Sequence, residues 1–353
     1  MKRILFVDDD TNVLNGLRRG LHSMQHEWQM EFQDSGEDAL QALSDRTMDA
    51  VVTDVRMSEM DGFQLLRAAK KTCPQVVRIV LSGQTQQDEF ARCFASTHFF
   101  LPKPCDTQLL KRRVGQILAN GERIRDTSLK SLISQIEIVP SLPMLVTQLH
   151  EECQSEECNI DTIAEIVSMD MGMSSSILHF VNSGYFGSNA PMSSPGLAVR
   201  WLGLDTVRDL LIKNRSYTPL DSNEFEYFNP RTLWADSVSC STAARSIALS
   251  QAGDRVLADE AFAAGLFHDV GQLVLASVLR DFYDDIVRRA TFSGKPLWKI
   301  ERELIGSTHA EVGAFLLGLW GLPDPVLNAV MWHHDPADGD VVQVAVHAAE
   351  QRA

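Results

Sequence analysis

Two different periodicities divide the 353-residue chain. Over the first 120 residues short apolar runs alternate with amphipathic stretches. Ile4–Val7, Glu31–Phe32, Ala50–Thr53, Val77–Leu81 and Phe99–Leu101 predict strands, and helical patterns fall near 12–24, 37–44, 63–71, 87–95 and 107–119. Five βα units predict an α/β domain with a five-stranded parallel sheet covered on both faces. From residue 136 strand-like alternation is scarce. Segments such as Asp161–Ser168, Met173–Asn182, Ser194–Leu202, Thr206–Leu211, Trp234–Leu249, Asp259–Leu279 and Glu311–Trp320 predict an all-α domain of more than ten helices. Leu142–Pro143 and Pro323–Asp324–Pro325 belong at helix boundaries, and Asn182–Ser183–Gly184 ends a helix. Trp201, Trp234, Trp320 and Trp332 read as core. The expected division is 1–120, a helical linker over 121–135, and 136–353.

The linker pattern runs from Asp106 through Leu110, Val114, Ile117 and Ile124, which nearly keep a heptad. Gly121 and Ser128 at the next seam positions favour an ordinary amphipathic connector over a coiled-coil dimer.

Ligands of parallel α/β sheets bind beyond the carboxyl ends of the strands. Asp8, Asp9 and Asp10 follow the first strand, Asp54 the third, Ser82 and Gly83 the fourth, and Lys103–Pro104 the fifth. Carboxylates converging there repel one another unless a hard cation such as Mg²⁺ sits among them. A carboxylate beside that cation can attack a phosphoryl group, with the ammonium and hydroxyl binding its oxygens. Asp61–Gly62 reads as a turn and helix start.

The strings ILFVDDD, VVTDVRMSEMDGFQLL, VRIVLSG and FFLPKP resemble the receiver domain of two-component response regulators. The resemblance implies Asp54 as phosphoacceptor, and Asp8, Asp9, Asp54 and the backbone carbonyl of Arg56 as Mg²⁺ ligands. It also implies Ser82 as switch hydroxyl, Lys103 as phosphate-contacting lysine, Phe100 as switch aromatic (inward-facing core being the competing reading), and a cis Lys103–Pro104 bond. Asp10 stays solvated.

In the second half, histidines fall in GLFHDVGQ (His268, Asp269), STHAEVGAFLL (His309) and WHHDP (His333, His334). Imidazole and carboxylate together suit iron, manganese or zinc, and a bound metal can make hydroxide for phosphoester hydrolysis. With LPSLPML, VNSGYFG, AVRWLGLDTVRDLL and LWGLPDPVLNAVMWHH, these strings resemble the HDOD domain, a generally non-catalytic relative of HD-type phosphohydrolases. Catalytic relatives have a metal-binding histidine where Asp236 stands, a lysine where Gln272 stands, and a G-Y-P string where Asp335–Pro336 follow His334. Glu350 stands near their final metal aspartate. The resemblance leaves a vestigial transition-metal site at Asp236, His268, Asp269, His309, His333, His334 and Glu350 open, beside the plainer reading of satisfied structural histidines.

Composition narrows the function. Hydrophobic residues make up 44% and charged residues 22%, as in packed globular proteins. The net charge is −15. Residues 1–120 carry 15 basic and 16 acidic groups, residues 121–353 carry 17 and 31. A surplus of 14 acids opposes binding to nucleic acid or anionic lipid. The longest nearly apolar stretch, Gly313–Leu322, is short of a span of about 20 residues. The six cysteines form no CxxC pair, and read as reduced cytosolic thiols. The preferred function is a cytoplasmic signalling adaptor, phosphorylated by a sensor histidine kinase and acting on a downstream protein or through a homodimer. The alternative is a phosphorylation-gated metallohydrolase of a cyclic dinucleotide or nucleotide.

Overall fold

A computed structural model describes residues 1–82, 96–155, 157–183, 191–213, 220, 225–336 and 339–352. The N-terminal domain is a five-stranded parallel sheet of order β2-β1-β3-β4-β5, with β1 Lys2–Val7, β2 Trp28–Gln33, β3 Ala50–Asp54, β4 Val77–Ser82 and β5 Phe99–Pro102. Helices α1 Thr11–Gly20, α2 Gly36–Asp45, α3 Gly62–Thr72 and α4 Thr107–Arg123 pack on it. The predicted helix over 87–95 lies outside the described residues. Side chains alternate along each strand. Ile4, Phe6, Phe99 and Leu101 join one core, Leu5, Val7 and Phe100 the other.

Helix starts follow local chemistry. Asp10, Ser35, Asp61 and Asp106 accept backbone N–H groups that the first turn leaves unpartnered. Asp10, expected merely to be solvated, is the N-cap of α1. Asp61 forms a capping box with Gln64. Gly62 does more than open a helix: a Cβ there would lie 1.9 Å from the Asp54 carbonyl oxygen, so α3 can approach the end of β3 only because this residue is glycine.

The connector departs from its expected shape. In place of one helical linker over 121–135, α4 runs through Gly121 to Arg123, and the chain turns before α5, Thr127–Ile133. Leu110, Val114 and Ile117 are buried within the chain, so the near-heptad seam is an internal packing face.

Twelve further α-helices lie in the described residues beyond 136: α6 Pro143–Gln154, α7 Ile160–Ser168, α8 Met171–Asn182, α9 Pro195–Leu202, α10 Leu204–Arg208, α11 Pro230–Ala252, α12 Arg255–Phe267, α13 Val270–Ser293, α14 Leu297–Ile305, α15 His309–Leu319, α16 Asp324–Trp332 and α17 Val341–Glu350. The single helix expected over Asp259–Leu279 is two, broken at His268–Asp269. By hydropathy alone Arg255–Ser293 is long and apolar enough to match a membrane span, but 67% of its most apolar window is buried inside the fold. Trp234 and Trp320 are core, whereas Trp201 and Trp332 are 47% and 42% exposed; Trp332 lies under the Arg123 guanidinium at 4.6 Å.

The two domains share a core. β5 is a sheet edge, and a bare edge leaves backbone groups unsatisfied. Here the Phe100 N–H donates to the Ser183 carbonyl just past α8 (2.9 Å), and Phe180 of α8 buries itself in the core that holds Phe100. Burying a phenylalanine is worth about 1.5–3 kcal/mol. On the opposite face α15 packs on α4, and Arg113 lies over Phe99.

Candidate functional site

Two clusters of ionisable groups emerge, one in each domain. At the carboxyl edge of the sheet, Asp8, Asp9 and Asp54 each offer an oxygen within 4.8 Å of the others. Lys103 bridges two of them, its Nζ 2.7 Å from Asp8 Oδ2 and 2.8 Å from Asp54 Oδ1. Burial pushes the Asp8 carboxyl up, more than the Lys103 contact pulls it down. Burial would lower the Lys103 ammonium, but Asp54 and Asp8 outweigh it and hold it up. Asp9 accepts the Ser58 N–H (3.0 Å), tying the loop after β3 to the acidic edge; Arg56 lies in that loop. Lys103–Pro104 is cis. Phe100 is buried on the inner face. Ser82 closes β4, paired in register with Pro102, and its side chain is outside the described residues, as is Gly83. Three clustered carboxylates with one ammonium leave surplus negative charge, which fits a hard divalent cation.

In the helical domain the break between α12 and α13 turns His268 and Asp269 inward. Gly271 makes this packing possible, since a Cβ there would stand 1.9 Å from the His309 carbonyl oxygen. Three imidazoles have their Nδ1 committed: His268 to Gly265 O (2.8 Å), His309 to Glu301 Oε2 (2.7 Å) and His333 to Val330 O (2.7 Å). Their Nε2 atoms face Asp269 at 3.4, 3.0 and 3.8 Å. His334 closes the group, with Nε2 2.9 Å from His309 Nε2 and Nδ1 3.2 Å from Glu350. Asp269 Oδ1, His333 Nε2 and Glu350 Oε2 are buried without an aligned hydrogen-bond partner.

The electrostatics are coupled. Burial opposes charge on Asp269, but His268 and His309 overcome it and hold the carboxylate well below its usual range. Burial likewise opposes charge on His309, and Glu301 and Asp269 hold it well above the ordinary imidazole range. His333, without a carboxylate of its own, is pushed well below by burial and the neighbouring histidines.

Asp236 must be corrected. It lies on the exposed side of α11, away from the cluster, because the buried stripe of that helix runs through Leu233, Ser237, Cys240 and Ala244. Sequence reasoning missed Glu301, which is wholly buried, anchors His309 through both ring and backbone, and accepts the Tyr283 hydroxyl (2.7 Å). Nothing in its string, WKIERELIG, marks it, since Glu303 nearby is an ordinary surface acid paired with Lys295. Asn182 has no binding task in view: its amide clasps the Met192 backbone through both N–H and C=O.

A model of the HDOD domain matches residues 139–336. The chain belongs to the HDOD family. Ahead of that domain, residues 4–115 match the response regulator receiver domain, so this is a two-component response regulator with an HDOD output domain. The response regulator MmoQ from Methylococcus capsulatus is a similar solved structure, at 26% identity and TM-score 0.52, over 61% of this chain and 87% of MmoQ. Among curated relatives, response regulator MprA of Mycobacterium sp. (strain KMS) is 33% identical over 33% of this chain and 50% of its own length. An uncharacterized protein of Treponema pallidum is 25% identical over 58% of this chain and 39% of its own length. The chain thus spans half or less of these curated relatives.

Proposed function

We propose that Asp54 accepts a phosphoryl group from a sensor histidine kinase, and that the HDOD domain of this cytoplasmic protein passes the change to a downstream protein without catalysing a reaction of its own. Residues 1–120 receive the phosphoryl group, 121–135 connect, and 136–353 are the output. The observation that carries the reading is the Lys103 ammonium shared between Asp8 and Asp54. One Asp54 oxygen attacks phosphorus as the bond to the donor imidazole nitrogen breaks. Lys103 then faces the new phosphoryl oxygens, a charge-assisted contact. Asp8, Asp9 and Asp54, with the Arg56 carbonyl, would hold Mg²⁺, whose charge offsets that of the incoming phosphoryl group. Ser82 and Phe100 respond as the switch pair. Because β5 touches Ser183 and Phe180 directly, a change at Phe100 reaches the output domain through packed side chains as well as through the connector. With acetyl phosphate and Mg²⁺ the chain should take up one phosphoryl group, and Asp54→Ala none. Undiminished labelling of Asp54→Ala sinks the assignment.

The histidine cluster supports a second reading. His268, Asp269, His309, His333, His334 and Glu350 would hold a transition metal; with three Nδ1 atoms committed, the Nε2 atoms converge on Asp269, and His333 Nε2 and Glu350 Oε2 are buried without a hydrogen-bond partner. A bound ion would supply the hydroxide of a phosphohydrolase. Gln272 in place of lysine and Asp335–Pro336 in place of G-Y-P weigh against catalysis, since no fixed cation stands there for a substrate phosphate. Elemental analysis should find metal that His268→Ala loses, while cyclic di-GMP stays intact. Its hydrolysis would replace the adaptor reading with the enzyme.

A further inference from the structure

A cavity of about 260 Å³ lies where receiver, connector and HDOD domain meet. Arg78 and Thr97 reach it from the receiver, Ser134 from the connector, and Ile177, His179 and Trp320 from the HDOD domain. Arg78 is buried, and all its partners are neutral: the carbonyls of Ser96 (2.8 Å), Pro74 (3.0 Å), Val76 (3.2 Å) and Ser134 (2.9 Å), and the His98 Nε2 (2.7 Å). Buried charges are ordinarily matched by an opposite charge. Here the nearby acid, Glu137, also lines the cavity and favours the charged guanidinium, but its own ion pair is with Lys70. Burial pushes the guanidinium down to about 10, which still leaves it protonated. His179, stacked on Trp320 at 5.0 Å, is pushed down to about 3 by burial and adds no charge. Two hydroxyls on the cavity wall, Thr97 Oγ1 and Ser134 Oγ, are buried without any partner.

A buried guanidinium with neutral hydrogen-bond partners, the Lys70–Glu137 ion pair, two idle hydroxyls and an apolar floor surround a space just below the usual size of ligand pockets, with one positive charge in excess. We infer that this cavity binds a small organic monocarboxylate, its anionic head on Thr97 and Ser134 in the field of Arg78 and its apolar body against Ile177 and Trp320. Because the walls come from three segments, an occupant holds the two domains together and stabilises the docked arrangement.

Calorimetric titration of the full chain with benzoate and with hexanoate tests it, with benzamide as the neutral isostere and sodium chloride at matched ionic strength. The expected result is saturable binding of at least one carboxylate, a rise in Tm, and benzamide at least about tenfold weaker. Thr97→Val with Ser134→Ala should weaken carboxylate binding by about tenfold or more, yet leave the unliganded Tm nearly unchanged, since neither hydroxyl has a partner to lose. Benzamide binding as tightly as benzoate, equal binding by the double variant, or no saturable signal in the millimolar range overturns the proposal.

Discussion

Two groups of buried histidines differ in charge, one neutral and one protonated. His98 and His179, at the junction of the domains, are both pushed down by burial; His98 also faces the Arg78 guanidinium, and both are neutral at pH 7. His268 and His309 are buried as deeply, but Asp269 and Glu301 hold both protonated, His268 up at about 10. Burial opposes charge in every case; the sign is decided by whether a carboxylate shares the space. The difference has a functional reading. An acid-lined cluster that stores protons can exchange them for a metal cation. A junction with a buried guanidinium, whose nearest acid, Glu137, is already paired with Lys70, has room for an anion instead.

The largest effect should come from removing the acid that the HDOD cluster shares. Asp269→Asn leaves facing imidazoles with no counter-charge and should cost about 3–5 kcal/mol in urea unfolding. Wild-type stability in that variant would mean that the cluster is not charged. Glu301→Gln keeps the shape and loses the anchor charge. It should weaken metal binding by about 10- to 100-fold, read by elemental analysis, and cost about 1–3 kcal/mol of stability.

The two groups should also give opposite pH slopes. His179 has a folded value of about 3 against about 6.5 unfolded, so below pH 6.5 the unfolded chain binds the proton that the folded chain refuses. Stability from this group is complete above about pH 6.5 and falls by up to about 1.4 kcal/mol per unit on acidification towards pH 3. His98 acts in the same direction. His268 is the reverse: its contribution is complete below about 6.5 and is lost as pH rises towards about 10. His179→Gln should flatten only the acid limb of the stability curve. Loss of the alkaline limb in that variant would show that the two groups are not independent. The smallest effect belongs to Thr97→Val without ligand, within about 0.5 kcal/mol of wild type.

The acidic edge of the sheet was legible in the sequence, because parallel topology brings the residues after each strand to one place. Asp8, Asp9, Asp54 and Lys103 needed only that rule. Most of the histidine cluster was legible too, since His268, His309, His333 and His334 lie in short recognisable strings. Asp236 failed because a match at one helical position says nothing about which face that position occupies, and on α11 it is the exposed face. Glu301 was invisible because its role depends on α14 lying beside α15, a contact between segments whose strings carry no sign of it.

The sequence by itself therefore determined the elements, the order of the domains and the carboxylates and lysine of the first site, all of which follow from periodicity and strand-end position. Tertiary structure alone decided that the edge strand β5 is covered by the output domain, that Asp269 and Glu301 charge one group of histidines, and that Arg78 is buried with none but neutral partners. Those depend on which side chains meet across distant segments. At buried sites that meeting sets the charge, because at low dielectric a single neighbouring carboxylate outweighs the intrinsic preference of the group.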